Sequence, residues 1–586
     1  MCAAEAPVLL GVEHSATGRR WCGLSPAQER ASEALEQATG LPPALSRHLA
    51  RRGISEAEVA DFLAPTLRAL LPDPRGLRDM ETAAKRLNTA IATQQKIAIF
   101  ADYDVDGGSS AALLIWWLRA LNQTTTLYVP DRIDEGYGPN PPAMEALARD
   151  HDLILCVDCG TLSHDALAAA KDADVIVLDH HLGGETLPHA HAVVNPNRQD
   201  ETGDLGHLCA AAVVFLCLVE AGRQRRSAGQ QTPDLMELLD LVALATVADV
   251  APLTGVNRAF VRQGLTVMAR RARPGLVALA DGAGLETAVA AYHLGFVLGP
   301  RINAGGRIGA ADLGTRLLAT ADPQEAAGLA DRLEVLNAER REIEAHVRTA
   351  AFEQAETRGL EAPLVWAAED GWHPGVVGIV AAHMKEATNR PAVVIGFDGD
   401  AGKGSGRPVS GIDLGAAVQR LAAEGLIEKG GGHRMAAGLS LSRAQLGPAM
   451  ERLNVLLAKQ GADQIGPGDL RIDGILMPAA VTPDLIDALE QAGPFGQGAR
   501  APRFALPEVR VRYSKPVGQG HLKLTLSDGG PARLDAIAFG AAENGIAQAI
   551  AAAGDAPIHV AGRLEINTWG GRRSPQLRLE DVALVP

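Results

Sequence analysis

Short, uninterrupted apolar runs separated by helix-favouring stretches dominate the first half of the chain. Lys96-Ile97-Ala98-Ile99-Phe100, Thr126-Leu127-Tyr128-Val129-Pro130, Leu153-Ile154-Leu155-Cys156-Val157 and Val175-Ile176-Val177-Leu178 have strand length and no polar alternation. Ser109 to Leu121 reads as a helix between the first two. Apolar strands alternating with helices predict a parallel α/β sheet. Ahead of it, residues 1–85 read as a polar, helical arm broken at Leu41-Pro42-Pro43 and Leu71-Pro72-Asp73-Pro74. Residues 221–234 read as an exposed loop. Residues 323–358 are charged and free of breakers, which predicts a long connecting helix with a solvated face. A second α/β pattern begins at Pro363-Leu364-Val365-Trp366, includes Pro391-Ala392-Val393-Val394-Ile395 and ends in Gly430-Gly431-Gly432-His433. Beyond residue 470, strand-like alternation at Val509–Tyr513, His521–Leu526, Ala536–Phe539, Ile558–Leu564 and Gln576–Leu579 predicts a small β-barrel of the oligonucleotide-binding type. The expected organisation is an arm (1–85), a parallel-sheet domain (86–320), a connecting helix (321–360), a smaller α/β domain (361–468) and the barrel (469–586). No repeat of fixed period is visible.

A chain of 586 residues with 47% hydrophobic and 21% charged residues has the composition of a multidomain globular protein, not of a disordered or fibrous one. With only 4% aromatics, the cores must rest on Leu, Val, Ile and Ala. The net charge of −15 argues against nonspecific coating of nucleic acid but not against an enzyme that acts on it, because local patches decide contact. From residue 496 onward, 11 Lys/Arg face only 8 Asp/Glu, a hint of an anionic ligand. Six Cys make no disulfide framework. Cys156 and Cys159 are the only C-x-x-C pair, too few for a structural zinc site and better read as flanking Asp158 than as a redox pair. No signal peptide and no apolar stretch of about 18–20 residues is present, so a cytoplasmic protein without membrane spans is expected.

The strongest chemical signal follows the first apolar run. Asp102-Tyr103-Asp104-Val105-Asp106-Gly107 places three carboxylates at alternate positions where a buried strand ends. Unneutralised, they repel one another at high cost. A divalent cation removes that cost, and oxygen donors suit Mg²⁺ or Mn²⁺. The alternative is a plain turn or calcium-type loop, but EF-hand spacing fails. The event recurs at Asp158 after Val157 and at Asp179-His180-His181 after Leu178, with Asp249 after another apolar run. In a parallel sheet such strand ends share one edge, where ligands sit.

These four segments resemble the motifs of the DHH phosphoesterases. Gly40-Leu41-Pro42, Leu71-Pro72-Asp73-Pro74, Arg301-Ile302-Asn303-Ala304-Gly305-Gly306-Arg307, Gly371-Trp372-His373-Pro374-Gly375, Gly431-Gly432-His433-Arg434-Met435-Ala436-Ala437-Gly438 and Pro494-Phe495-Gly496-Gln497-Gly498 extend the resemblance over nearly the whole chain. It is strongest to the members that degrade single-stranded DNA 5′→3′ to mononucleotides in recombination and repair. Two departures stand out: Pro408 replaces a usual Ser after Gly404-Ser405-Gly406-Arg407, and Ala499 replaces a usual Asn.

The resemblance implies two Mn²⁺ or Mg²⁺ ions, one on Asp102 and Asp158, the other on Asp104, Asp158, His180 and Asp249. His181 would act at the scissile phosphate. Asp106 and Asp179 would fix the ligands, with direct ligation by Asp106 as the competing reading. It also implies single-stranded DNA as substrate, a single-strand-binding protein and a helicase as partners, and a monomer. For the substrate backbone, Arg301, Asn303 and Arg307 lie among glycines that let a phosphate approach, and Gly431, Gly432 and His433 could form an anion nest. Lys403 and Arg407 are candidates for further phosphates. In the tail, Arg510, Arg512, Lys515, Lys523, Arg563, Arg572 and Arg573 could line a strand-binding face, with Tyr513 and Trp569 as stacking platforms. A hydrolase of small nucleotides or oligoribonucleotides is the alternative, and a noncatalytic scaffold is a third reading. The arm and basic tail argue against the first, since a small substrate needs neither, and the intact ligand set argues against the second.

Overall fold

The computed structural model describes residues 6–132, 135–285, 288–433, 436–462, 468–518, 520–569 and 572–585. Its first sheet has five parallel strands in the order Thr125–Tyr128, Ile97–Ala101, Leu153–Val157, Asp174–Leu178, Ala192–Val194. The two central strands Ile97–Ala101 and Leu153–Val157 are buried at every position. Helices Val105–Ala120, Ala210–Ser227 and Leu239–Ala248 cover one face, while Pro141–Asp150 and His164–Ala169 cover the other. That double cover is why these strands read as continuous apolar runs. The fifth strand has only three residues, too few to stand out in the pattern.

Register sets up the site. Ala101 pairs with Val157, Val157 with Leu178, and Leu178 with Val194. The next residues, Asp102, Asp158, Asp179 and Asn195, therefore leave four neighbouring strands side by side, with strands about 4.8 Å apart.

Two helices differ from expectation. Helix Val105–Ala120 begins before Ser109 because Asp104 caps it, accepting from the amides of Asp106 and Gly107. Helix Ala210–Ser227 runs into the expected loop at 221–234. Buried Glu220 holds this last part helical by accepting from Arg223 and Gln224 one turn on.

Helix Pro323–Arg358, 36 residues and about 54 Å long, connects the lobes. Its first half buries Ala326, Leu329 and Leu333 against the parallel-sheet lobe, and its second half buries Val347, Ala351 and Ala355 against the next. That second lobe holds a five-stranded mixed sheet in the order Lys429–His433, Ala436–Ser442, Ala401–Arg407, Ala392–Asp398, Val365–Asp370. The C-terminal strands Phe504–Val517, His521–Ser527, Leu534–Ala538, Arg572–Leu584 and Ile558–Trp569 follow one another around a barrel, which the pairing of Phe504–Val517 with Ile558–Trp569 closes. Closure removes the sheet edges.

The N-terminal residues do not form a free arm. Strand Trp21–Cys22 pairs with Leu470–Arg471, and Leu35, Leu45 and Leu49 share one core with barrel residues Phe504, Leu524 and Val560. Buried Asp581 accepts from Trp21 Nε1 at 2.9 Å and Ser15 Oγ at 2.6 Å. The expected boundary at residue 85 falls inside helix Met80–Ala92, whose Met80, Leu87 and Ile91 belong to the parallel-sheet core. The arm thus divides its allegiance, its beginning to the barrel and its end to the first lobe.

Arg258 ties these parts together. Its Nη2 donates to the carbonyls of Phe62, Ala492 and Gly493 at 3.1, 3.0 and 2.9 Å, and its guanidinium lies 3.9 Å from the centre of the Phe62 ring. Burial, then Arg52 and Arg262, push its pKa down to about 10. Arg258→Ala orphans three carbonyls and should destabilise the protein by roughly 2–4 kcal/mol, summing lost charge-assisted hydrogen bonds and ring contact. Urea unfolding checks the magnitude, and faster proteolysis near residues 62–66 checks the location.

Candidate metal centre

The carboxylates at the sheet edge converge. Asp102 and Asp158 are buried, and each keeps Oδ1 without a hydrogen bond. Asp158 adopts φ +60°, a left-handed conformation that Asp tolerates better than most residues. Its amide donates to Leu178 and its carbonyl accepts from the Tyr137 hydroxyl at 3.0 Å. Gly107 must be glycine, because a Cβ there would lie 2.4 Å from the Asp102 carbonyl oxygen. Gly306 likewise lets the Tyr103 ring lie against its backbone.

His180 points Nε2 into the group, 3.3 Å from Asp158 Oδ1, 3.6 Å from Asp106 Oδ2 and 3.9 Å from Asp249 Oδ2. Three sets bring their donor atoms within 4.8 Å: Asp102, Asp104 and Asp158; Asp106, His180 and Asp249; Asp158, His180 and His181. Asp104 thus groups with Asp102 rather than with His180 and Asp249. Both Asp106 oxygens accept backbone amides, from Ala210 at 2.7 Å and Ala211 at 2.8 Å. This carboxylate caps the helix Ala210–Ser227 and holds it against the site.

Asp179 is the hub behind the histidines. Its Oδ1 accepts from the His180 amide at 2.7 Å, the His181 amide at 3.2 Å and His181 Nδ1 at 2.8 Å. Its Oδ2 accepts from the Thr161 amide and hydroxyl. Asn195 donates to the His181 carbonyl at 2.8 Å and Asn197 to that of His180 at 2.6 Å. The imidazoles are therefore fixed from behind and face the cleft.

Electrostatics shows what the group lacks. Burial first, then Asp104, push Asp102 up to about 8. Burial and the neighbouring acids raise Asp158 and Asp249 well above the usual carboxylate range, and burial raises Asp106. Asp179 runs the other way: burial opposes it, but the bond and charge of His181 with Thr161 hold it well below that range. The same pair, against burial, raises His181 to about 9. Clustered carboxylates with orphaned oxygens and an imidazole fit two hard divalent cations.

The substrate candidates separate. The glycine-rich segment 301–307 is not a loop but part of helix Gly299–Ile308. Arg301 is taken up by Glu334 at 2.5 Å and by the Val297 carbonyl. Asn303 accepts from the Val105 amide at 3.0 Å and so braces the acidic motif. Arg307 does face the cleft, bonding the Gly375 carbonyl at 2.8 Å. Gly431 and Gly432 form no nest; they lie in the edge strand Lys429–His433, paired with Gly438 and Ala437. The His433 side chain, Arg434 and Met435 lie outside the described residues, as does the Trp569 side chain. Lys403, Ser405 and Arg407 share one face of strand Ala401–Arg407. In the barrel, Arg563 pairs with Glu580 and Arg573 with Asp487, each at 2.5 Å. Ala499 is fully buried in an apolar cluster with Leu253, Val261 and Ala291.

The pattern did not reveal Arg132, which bonds the Tyr103 hydroxyl and crosses its ring. Burial lowers Arg307 and Arg407, and the nearby charge of Arg132 lowers both further, as that of Arg307 does Arg407. Nor did it reveal Tyr137, whose hydroxyl lies 3.2 Å from His181 Nε2. Asn195 was within reach, since it follows an apolar strand as the acids do. Cys156 and Cys159 are buried and their thiols raised, so neither is a thiolate.

Comparison with known proteins identifies the class first. Residues 96–246 match the N-terminal domain of the DHH family, and residues 361–459 match the DHHA1 domain that accompanies it. The lobe pair is that of a DHH-family protein. Residues 472–581 match the RecJ OB domain. The chain is 37% identical to the single-stranded-DNA-specific exonuclease RecJ of Dickeya dadantii, over 95% of this chain and 98% of that one. It is 35% identical to RecJ of Escherichia coli, covering 92% and 96%. The crystal structure of Thermus thermophilus RecJ with Mn²⁺ superposes with a TM-score of 0.78 at 30% identity, covering 96% of this chain and 79% of that one. The same protein has been crystallised with Mg²⁺. The chain belongs to the RecJ family.

Two outcomes follow from the geometry. Carboxylates raised in the folded state bind more protons than in the unfolded chain, so the metal-free protein should lose stability as pH rises from about 4 through 8. Mn²⁺ binds the deprotonated form and should reverse that loss, so the Tm gap between Mn²⁺-loaded and EDTA-treated protein should widen from pH 6 to pH 8.5. Asp179→Asn, which loosens both histidines without removing a site carboxylate, should weaken Mn²⁺ binding about 10- to 100-fold by calorimetry.

Proposed function

We propose that this chain hydrolyses single-stranded DNA from its 5′ end to mononucleotides, in DNA recombination and repair. The observation that carries this reading is a cation-demanding carboxylate cluster with three arginines, Arg132, Arg307 and Arg407, close to one another, in a chain whose near-full-length relatives are single-stranded-DNA-specific exonucleases.

Asp102, Asp104, Asp158, His180 and Asp249 would hold two Mn²⁺ or Mg²⁺ ions. When bound, such a pair makes water a nucleophile at neutral pH and neutralises charge building on the phosphate. The remaining steps belong to side chains of this chain. Arg132, Arg307 and Arg407 cradle the terminal phosphate between the first two lobes, where burial makes each charge count. His373 lies near enough to Arg132 for that charge, added to burial, to lower its pKa, so it joins as a neutral donor. His181, held through Nδ1 by Asp179, would present Nε2 to the scissile phosphate. Asp106 and Asp179 position helix and imidazoles. Tyr137 orients His181 from the open side.

The arginine cradle is walled by the second lobe. A cleft of about 680 Å³ is lined by His180, Asn197, His207, Asp249, Val250 and Pro252. The barrel entry borders that cleft: Leu253 donates to the Gln497 carbonyl at 2.8 Å. A strand anchored by its 5′ phosphate would leave toward the barrel. The same reading takes in action as a monomer in the cytoplasm, on ends opened by a helicase and covered by single-strand-binding protein. Among the described residues no helix is long and apolar enough to cross a membrane.

The test uses purified protein, Mn²⁺ and a mixed-sequence oligomer labelled at either end, with Asp158→Ala as control. Labelled mononucleotide should appear at once from the 5′ label only, and not with the variant. Turnover of a dinucleotide without attack on DNA would overturn the reading. Arg407→Ala should raise KM for a 5′-phosphorylated oligomer about 10- to 100-fold, as expected for a lost charge-assisted contact, and much less for a 5′-hydroxyl oligomer.

A further inference from the structure

The connecting helix Pro323–Arg358 buries one stripe along its length, and the stripe changes character where two lobes meet. Ala326, Leu329 and Leu333 lie against the first lobe, and Val347, Ala351 and Ala355 against the second. Between them, at the same helical spacing, stand Asn337, Arg340 and Glu344. Asn337 and Arg340 are buried, and only 14% of the Glu344 side chain is exposed. A polar break in a buried stripe is costly unless each group is paired.

The three groups pair with one another. Arg340 donates through Nη2 to Asn337 Oδ1 at 3.0 Å and through Nη1 to Glu344 Oε2. Glu344 also reaches beyond its own helix. Its Oε1 lies 3.5 Å from Nδ1 of His383, on helix Pro374–Thr388 of the second lobe. An Arg–Glu pair one turn apart on a solvated helix face contributes little. This pair is withdrawn from solvent and tied to a second helix, which a local role does not require.

That second helix forms part of the arginine cradle. It begins next to His373, and its Gly375 carbonyl accepts from Arg307 at 2.8 Å. A Cβ at Gly375 would lie 2.6 Å from the Arg307 carbonyl oxygen, and one at Gly378 would lie 3.0 Å from Arg407 Nη2. On the other side, Gly309 follows the helix that carries Arg307, and a Cβ there would lie 2.5 Å from Leu336 Cδ1 of the connecting helix. Three helices therefore close a triangle through Gly309 and Leu336, Arg307 and Gly375, and Glu344 and His383. Two of these sides are close backbone approaches. The third depends on one carboxylate.

Charge passes through the same point. Burial lowers Arg340, Glu344 raises it, and Arg307 lowers it again. Burial lowers Arg307 too, and Glu344 is among the groups that raise it. The carboxylate that pairs with Arg340 thus also acts on an arginine of the cradle.

We infer that Glu344 is a positioning residue for the cradle: by holding Arg340 and His383 at once, it fixes the separation of Arg307 in the first lobe from Arg407 and His373 in the second. It acts through the arginines and not on the reacting atoms. The inference rests on the reading of Arg132, Arg307 and Arg407 as the seat of the terminal phosphate. A displacement of about 1 Å at groups that orient a substrate is enough to cost up to about 100-fold.

The test compares steady-state cleavage, with Mn²⁺, of a single-stranded 20-mer bearing a 5′ phosphate and of one bearing a 5′ hydroxyl. Glu344→Gln keeps the size of the side chain and an acceptor for Arg340 but removes the charge. It should raise KM for the phosphorylated 20-mer about tenfold or more, with kcat, and KM for the hydroxyl 20-mer, within about twofold of wild type. Mn²⁺ affinity measured by calorimetry should stay unchanged. Because the effect passes through the cradle, Glu344→Gln should add nothing to an Arg407→Ala protein, whereas a general structural defect would weaken that protein further. His383→Ala cuts the same link from the second lobe while leaving Arg340 paired. It should reproduce the split at smaller size, and it carries the test if circular dichroism shows Glu344→Gln to be unfolded. Unchanged KM in the folded variants, or an equal loss on both 20-mers, overturns the positioning role and leaves Glu344 as a stabilising ion pair. A wild-type protein that treats the two 20-mers alike, with Arg407→Ala changing neither, instead overturns the cradle reading and the inference with it, which separates the two failures.

Discussion

Mutual repulsion among carboxylates at the end of one sheet is the constraint on which the rest of the structure depends. Asp102, Asp104, Asp106, Asp158 and Asp249 are brought together where water is largely excluded, and most are driven toward protonation. His180, His181 and Arg132 offset only part of that repulsion. The surrounding fold is arranged to hold the group in place despite that cost: amides of a helix N-terminus clamp Asp106, Asp104 caps the helix that follows it, and Asn303 braces Val105. A site that is costly when empty is one that binds cations strongly, because the cost disappears on binding.

The second organising feature is the sharing of cores across sequence distance. Trp21 pairs its strand with residues beyond 469, and Leu45 and Leu49 lie against Phe504 and Val560. The chain's ends therefore clasp each other, and Arg258 bolts that unit to the catalytic lobe through three carbonyls. With the long helix Pro323–Arg358 joining the other two lobes, the cleft is enclosed by elements whose separation is set by packing.

Much of this was legible before any coordinates. The apolar runs at 96–100, 153–157 and 175–178 read as strands because helices cover both faces, and the acids that follow them fall at one sheet edge because the strands pair in register. Helix Pro323–Arg358 was legible from charge without breakers. The misreadings have physical causes. Glycines at 305 and 306 suggested backbone open to a phosphate, but in the helix they admit Leu333 and the Tyr103 ring. Gly430 to Gly432 suggested a nest, but they form an edge strand in which Gly430 makes room for Val418 and Ile427. Arg301 looked free because its partner, Glu334, lies on another helix.

By itself, the sequence determined what chemistry the chain could hold: hard oxygen donors in register, imidazoles beside them, and lobes of known class in a known order. These depend on local propensity and on side-chain type, which are written residue by residue. Only the tertiary structure decided which cations are free and which are spent, that Asp104 groups with Asp102, and that Arg132, Arg307 and Arg407 meet across two lobes. It also decided that Glu344 reaches both Arg340 and His383. Those outcomes turn on contacts between residues far apart in the chain, and a one-dimensional pattern has no term for the partner on the other side of a cleft.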